Sequence, residues 1–240
     1  PSFLGSNLTL LQELRLAYNR LSGSLPSSLS GLAQLTRLEL NNQIGSASLS
    51  GPIDVVGLLP SLKTLWIQVN GFSGSIPPSL GSALSLSECR LNDNDLLGLV
   101  PSTFSSSSSL TSFHIQNNKL MGPIPAIPSI TAANGYIFSG NKFCVATVGA
   151  SCAPDVNALL AFLLDVNFPL SLVNSWDGND PCSNSWQGIS CDAQTKTCPN
   201  RSSPVPYRRI WATCRPSLRS SSAATTSRAR SRHPSSICPT

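Results

Sequence analysis

Charge is scarce in this sequence. Asp, Glu, Lys and Arg together make up 11% of its 240 residues, against about a quarter in an average globular protein. Histidine is rarer, with His114 and His233 alone. No Gly-rich phosphate loop, kinase lysine motif, H-R-D or D-F-G occurs, so the chain reads as non-enzymatic and without a cofactor. No apolar run is long enough to span a bilayer. The longest, Ala158 to Leu164, stops at Asp165, so no membrane contact by this chain is expected. An initiator methionine and a signal peptide are also missing. Yet eight cysteines and the sequon Asn7-Leu8-Thr9 fit an oxidising secretory route, which implies that the true N-terminus lies upstream.

What charge there is lies unevenly along the chain. Residues 1–192 carry a net −4, whereas residues 193–240 carry +9 and no acid at all. The two parts call for separate readings.

Leucine, glycine and proline recur with a fixed period. Leu11-x-x-Leu14-x-Leu16-x-x-Asn19-x-Leu21-x-Gly23-x-Leu25-Pro26 sets a pattern that returns from Leu62, Leu86 and Leu110, the last three 24 residues apart. Leu35-x-x-Leu38-x-Leu40 belongs to the same series. Three extra residues follow it within Gln43–Ser48, and Gln43 stands where asparagine is expected. In Leu-x-Leu both leucines point to one side of a short strand. One repeat could not bury them alone, but stacked neighbours can. The asparagine can bond backbone groups at the turn that follows, and stacked copies would form a ladder. A leucine-rich helix is excluded, because a proline in every repeat would break it.

These repeats resemble the plant-type leucine-rich repeat, with its L-S-G-x-I/L-P segment (Leu21 to Pro26 and, with phenylalanine leading, Phe72 to Pro77). The fold class so implied is a right-handed leucine-rich-repeat solenoid. It would have one short parallel strand per repeat, a 3-10 or irregular convex side, a small helical disulfide island and a disordered basic tail. The expected divisions are 1–135 for the repeats, 136–192 for a cysteine-bearing island and 193–240 for the tail.

In the island, Pro154 to Leu164 reads as a helix. Pro and Asp suit its first turn, and Val156, Leu159, Leu160 and Leu163 recur at helical spacing. The string Ser175-Trp176-x-Gly178-Asn179-Asp180-Pro181-Cys182, then Trp186-Gln187-Gly188-Ile189-Ser190-Cys191, resembles the cap that opens a plant leucine-rich-repeat block. Its place in mid-chain, after Gly140-Asn141-x-Phe143-Cys144, Cys152 and Phe168-Pro169, resembles the ectodomain of the plant transmembrane-kinase (TMK) family of receptor-like kinases. That resemblance implies two repeat blocks around an island, then a membrane helix and a Ser/Thr kinase beyond this chain. It also implies a place at the extracellular face of the plasma membrane, or in the apoplast. Auxin-linked growth signalling, through auxin-binding cell-surface partners, follows from the same likeness.

Cysteine accounting pairs Cys144 with Cys152 and Cys182 with Cys191 as local disulfides. Cys89 replaces a core leucine and reads as a buried free thiol. A zinc site has no Cys-x-x-Cys pair or nearby histidine to support it. Asp177 and Asp180 look like a carboxylate pair, but the cap motif explains both. After Asp192 the repeats should resume. Instead the chain is rich in Arg, Ser and Pro with a single leucine, Leu218, too little apolar surface to fold. A frame change or retained intron explains the shift best. A disordered tail on a secreted isoform comes next, and a basic nucleic-acid tail last.

Strand alternation places the outward residues. The middle x of Leu-x-Leu gives Arg15, Glu39, Trp66, Arg90 and His114. The next column gives Ala17, Asn41, Gln68, Asn92 and Gln116, and a third gives Tyr18, Asn42, Val69, Asp93 and Asn117. Most would be ordinary solvated surface. Arg15, Tyr18, Glu39, Trp66, Gln68, Arg90, Asp93, His114 and Gln116 form the candidate partner face, with Trp66 as an exposed aromatic anchor beside Arg90. The expected partner is an extracellular protein or peptide ligand, a co-receptor, or both; nucleic acid and metal are not expected. Asn7 is the glycosylation candidate. Two other readings are a secreted inhibitor of a wall-degrading enzyme and a soluble decoy receptor.

Overall fold

The computed structural model describes residues 4–45, 48–131 and 135–191; the basic segment 193–240 lies outside them. Each Leu-x-Leu unit forms a three-residue strand: β1 (Glu13–Arg15), β2 (Arg37–Glu39), β4 (Thr64–Trp66), β6 (Glu88–Arg90) and β8 (Ser112–His114). With β10 (Tyr136–Ile137) they make a six-stranded inner sheet in chain order. Every pair is parallel, and Leu14, Leu38, Leu65, Cys89 and Phe113 stand in one register row. From Leu38 onward that row is wholly buried. Cys89 therefore fills a leucine's place, as its position in the repeat implies, and burial pushes its thiol far above the ordinary value.

Each repeat after the first contributes a second strand, where only one was expected. The strands β3 (Ser50–Pro52), β5 (Gly71–Gly74), β7 (Asp95–Leu99), β9 (Lys119–Gly122) and β11 (Lys142–Phe143) form a separate five-stranded sheet, ordered β11-β9-β7-β5-β3. This is the L-S-G-x-I/L-P segment, extended and hydrogen-bonded from repeat to repeat. The first repeat joins by one bridge, Gly23 to Leu49. Its glycine holds φ between +78° and +87° in all five repeats (Gly23, Gly51, Gly74, Gly98, Gly122), a region open to glycine at little cost. Read from sequence, Gly and Pro announce a turn and mask the strand.

The convex side carries one short helical turn in each of the first four repeats: 3-10 turns at Ser27–Gly31, Asp54–Leu58 and Ser102–Ser106, and the short α2 (Pro78–Gly81). A further turn, α1 (Leu4–Asn7), stacks on the first of these. Each helical turn lowers one side chain into the core, namely Leu29, Val56, Leu80 and Phe104.

Between the strands and the convex turns runs the asparagine ladder. Asn94 Nδ2 donates to the carbonyls of Leu91, Asn92 and, one repeat back, Ile67, while its Oδ1 accepts from Phe72 N at 3.0 Å. Asn118 repeats the set one step on. Gln43 serves in the same role, donating to Leu16 O and Leu40 O and accepting from Leu21 N. The ladder and both sheets continue past residue 135. Asn141 donates to Ile115 O and Phe138 O and accepts from Leu120 N, and β10 and β11 extend the two sheets. This further turn escapes the leucine pattern because Tyr136, Phe138 and Phe143 replace leucines, extending an aromatic column from Phe104 and Phe113.

The island folds against the second sheet. Disulfides join Cys144 to Cys152 and Cys182 to Cys191. The helix α3 (Pro154–Asp165) buries Val156, Leu159, Leu160 and Leu163, and α4 (Leu170–Ser175) buries Val173. Trp176 and Trp186 stack at 5.1 Å, and their indole N–H groups donate to Gln187 O and Asp177 O. These residues share one core with Met121 of β9, with Leu97 and Leu99 of β7 packed against it.

Candidate functional site

The inner sheet's outward side carries two aligned rows of polar side chains. In one row Arg15, Glu39, Trp66, Arg90 and His114 follow each other from strand to strand. In the other stand Glu13, Arg37, Thr64, Glu88 and Ser112, in the same register. The sequence reading took the first row and missed the second. The signal was available, because a residue two positions before an outward strand residue also points outward.

Two members of the missed row, Arg37 and Glu88, build the surroundings of Trp66. The indole Nε1 donates to Glu88 Oε2 at 3.1 Å. The Arg90 guanidinium lies 4.4 Å from the ring centroid and that of Arg37 5.9 Å, both within cation–π range. Arg37 is also paired with Glu39 at 2.9 Å. Trp66 is therefore half-buried, not the freely exposed aromatic expected from alternation. Its cover comes from side chains of the neighbouring strands, since long polar stems lie readily over an aromatic face.

The remaining candidates divide. Arg15 sits at the first strand and pairs with Glu13 at 2.7 Å. Gln68 and Gln116 lie in the next column, partly buried, their carbonyl oxygens without a partner among the described residues. Tyr18 and Asp93 belong to a column that is not strand at all. Tyr18, Asn42, Val69, Asp93 and Asn117 all hold φ near +56°. They mark the turn that carries the chain out of the inner sheet, and left-handed backbone suits the Asn and Asp among them. Asp93 accepts from Asn92 and Asn117, at 2.6 and 2.7 Å, which engages both its oxygens within the protein. His114 lies beside Arg90 on the adjacent strand. Asn7 is exposed at the end of α1.

The arrangement offers aromatic and charged contact surface. Among the described residues no group of three His, Cys, Asp or Glu side chains could hold a metal ion. Among them, too, no helix is long and apolar enough to cross a membrane. Asp180, singled out with Asp177 as a carboxylate pair, instead binds the backbone N–H groups of Cys182 and Ser183.

Comparison with known proteins agrees with this architecture. The leucine rich repeat family model matches residues 10–32 and 61–83, and the leucine rich repeat N-terminal domain matches residues 152–192. Receptor-like kinase TMK2 of Arabidopsis thaliana is 39% identical over 191 residues, covering 79% of this chain and 21% of the relative. Receptor-like kinase TMK4 of the same plant is 39% identical over 176 residues, 73% of this chain and 18% of the relative. The chain thus spans about a fifth of the curated relatives' length. Among solved structures, the Arabidopsis receptor kinase HAESA in complex with the peptide hormone IDA and the co-receptor SERK1 superposes with a TM-score of 0.53. The match is at 27% identity and covers 66% of this chain and 25% of that one. The chain thus carries leucine rich repeats and a leucine rich repeat N-terminal domain, and over its repeats and island it is similar to the TMK receptor-like kinases of Arabidopsis thaliana.

Proposed function

We propose that the concave inner sheet recognises an extracellular protein or peptide, with or without a co-receptor, as the binding part of a TMK-like receptor kinase. The setting is the plant cell surface, and the signalling is auxin-linked growth. The reading rests chiefly on the Trp66 cluster. A tryptophan in mid-sheet, flanked by two arginines and tied to Glu88, has the residue types that dominate binding energy at protein interfaces. The peptide hormone and co-receptor bound to HAESA and the TMK2 and TMK4 likeness support the same direction. On this reading the chain supplies recognition, and catalysis belongs to a kinase region outside it.

The test is surface plasmon resonance on the immobilised chain, with an extracellular auxin-binding protein as analyte, with and without auxin. Binding is expected, and Trp66→Ala should weaken it at least about tenfold, a loss of roughly 1.4 kcal/mol. Unchanged affinity would remove Trp66 from the site. Inhibition of a wall-degrading enzyme, with no binding of the auxin-binding protein, would replace this reading by the inhibitor one.

A further inference from the structure

Resting on the concave-face reading, we infer that Arg90 is a receptor for a single carboxylate of the bound ligand. The observation is an imbalance in the pairing of charges. Arg15 is paired with Glu13 and Arg37 with Glu39. Arg90 has no carboxylate within ion-pair distance among the described residues, and its Nε is buried without a hydrogen-bond partner. Glu88, two residues before it on the same face, is engaged by the Trp66 indole instead.

The geometry suits the role. Stacking on Trp66 at 4.4 Å holds the guanidinium without consuming its hydrogen-bond donors. A planar fork held in this way loses little further freedom when it grips two oxygens side by side. The neighbouring charges limit the ligand to one negative charge. Glu88 stands on the Arg90 strand and Glu39 lies opposite Trp66, so a polyanion or a doubly charged phosphate would meet more repulsion beside the arginine than a single carboxylate.

The experiment is ¹⁹F NMR of the full chain labelled with 5-fluorotryptophan, the Trp66 signal assigned with Trp66→Phe. The probes are sodium acetate, N-acetyl-triglycine with a free carboxylate, its C-terminal amide, and inorganic phosphate. Acetate and the free-acid tripeptide should shift the Trp66 signal saturably, while the amide and phosphate leave it in place. Arg90→Gln should abolish the shift and Arg90→Lys weaken it about tenfold, the Trp176 and Trp186 signals reporting an intact island throughout. Tighter binding of the tripeptide than of acetate assigns the carboxylate to a peptide terminus, and equal binding assigns it to a small organic acid. An amide as effective as the acid, a full response in Arg90→Gln, or no response to either carboxylate probe overturns the inference. It does so without touching the recognition face, whose own test is the loss of partner binding in Trp66→Ala.

Discussion

Single side chains in this solenoid differ in worth according to whether a neighbouring repeat covers them. Asn118 and Asn19 hold the same place in their repeats. Asn118 is buried and makes four backbone hydrogen bonds, one accepted from Leu96 N and one donated a full repeat back to Leu91 O. Asn19 is exposed and donates only to Leu16 O and Ala17 O, within its own turn. Removing the Asn118 amide leaves the buried Leu96 N–H unpaired, at a cost of about 1–3 kcal/mol, and takes one of two donors from each of the Leu91, Ile115 and Gln116 carbonyls, which keep Asn94, Asn141 and Asp93 N. Water can replace the bonds of Asn19. Asn118→Ala should therefore destabilise the chain by roughly 3 kcal/mol and Asn19→Ala by less than about 1 kcal/mol, measured as the shift in urea midpoint. Equal losses would mean that the ladder acts within each turn and not between turns. The ladder itself was legible, because a polar residue recurring at a fixed place beside leucines has few other uses. That Gln43 fills a rung was not legible. It depends on the longer side chain reaching Leu16 O, Leu40 O and Leu21 N across an enlarged loop.

At the scale of elements, the inner strands were legible and the second sheet was not. Leu-x-Leu states its period in three residues, whereas Gly74, Gly98 and Gly122 carry the signature of a turn while standing in strands. The same glycines decide how the island docks. A Cβ on Gly98 would lie 3.4 Å from the Phe168 ring, and one on Gly122 would meet Leu99 at 2.6 Å and Leu160 at 3.5 Å. The bare backbone of β7 and β9 is thus the seat on which α3 and the turn after it rest. Phe168 is buried there in a left-handed conformation, φ 48°, which a bulky residue adopts only where its surroundings enforce it. Nothing in the sequence pairs Phe168 with Gly98, 70 residues earlier, since no periodicity connects the island to the repeats. Phe168→Ala should cost about 3 kcal/mol, concentrated at this junction. The measurement is native-state hydrogen exchange: protection should fall in α3 and α4 and persist in β4, β6 and β8. Uniform loss across all strands would show that island and repeats unfold as one unit.

Among the described residues, the first and last turns of the solenoid are covered differently. Towards the island the core ends under helices, stacked tryptophans and two disulfides. At the other end Leu16 and Leu21 are 38% and 36% exposed, although their counterparts Leu40, Ile67 and Leu91, and Phe72 and Leu96, are buried. Leu8 and Leu10 add to that surface at 45% and 83%. Exposed leucines near the edge strand β1 favour self-association, and the sequon at Asn7 precedes Leu8 directly in sequence. A glycan on Asn7 of this chain would stand beside Leu8 and should oppose such contact. Chain secreted from a plant host should then sediment more slowly, per unit concentration, than chain treated to remove the glycan or carrying Asn7→Gln, both of which should form concentration-dependent oligomers. Leu8→Gln with Leu10→Ser keeps the sequon and should restore monomers whether or not the sugar is present. If the deglycosylated chain stays monomeric over the same range, the exposed leucines are too dispersed to drive association and the glycan has no shielding role. If Asn7→Gln associates but the leucine variant does so equally, the contact lies along β1 itself, through unpaired backbone groups rather than side chains.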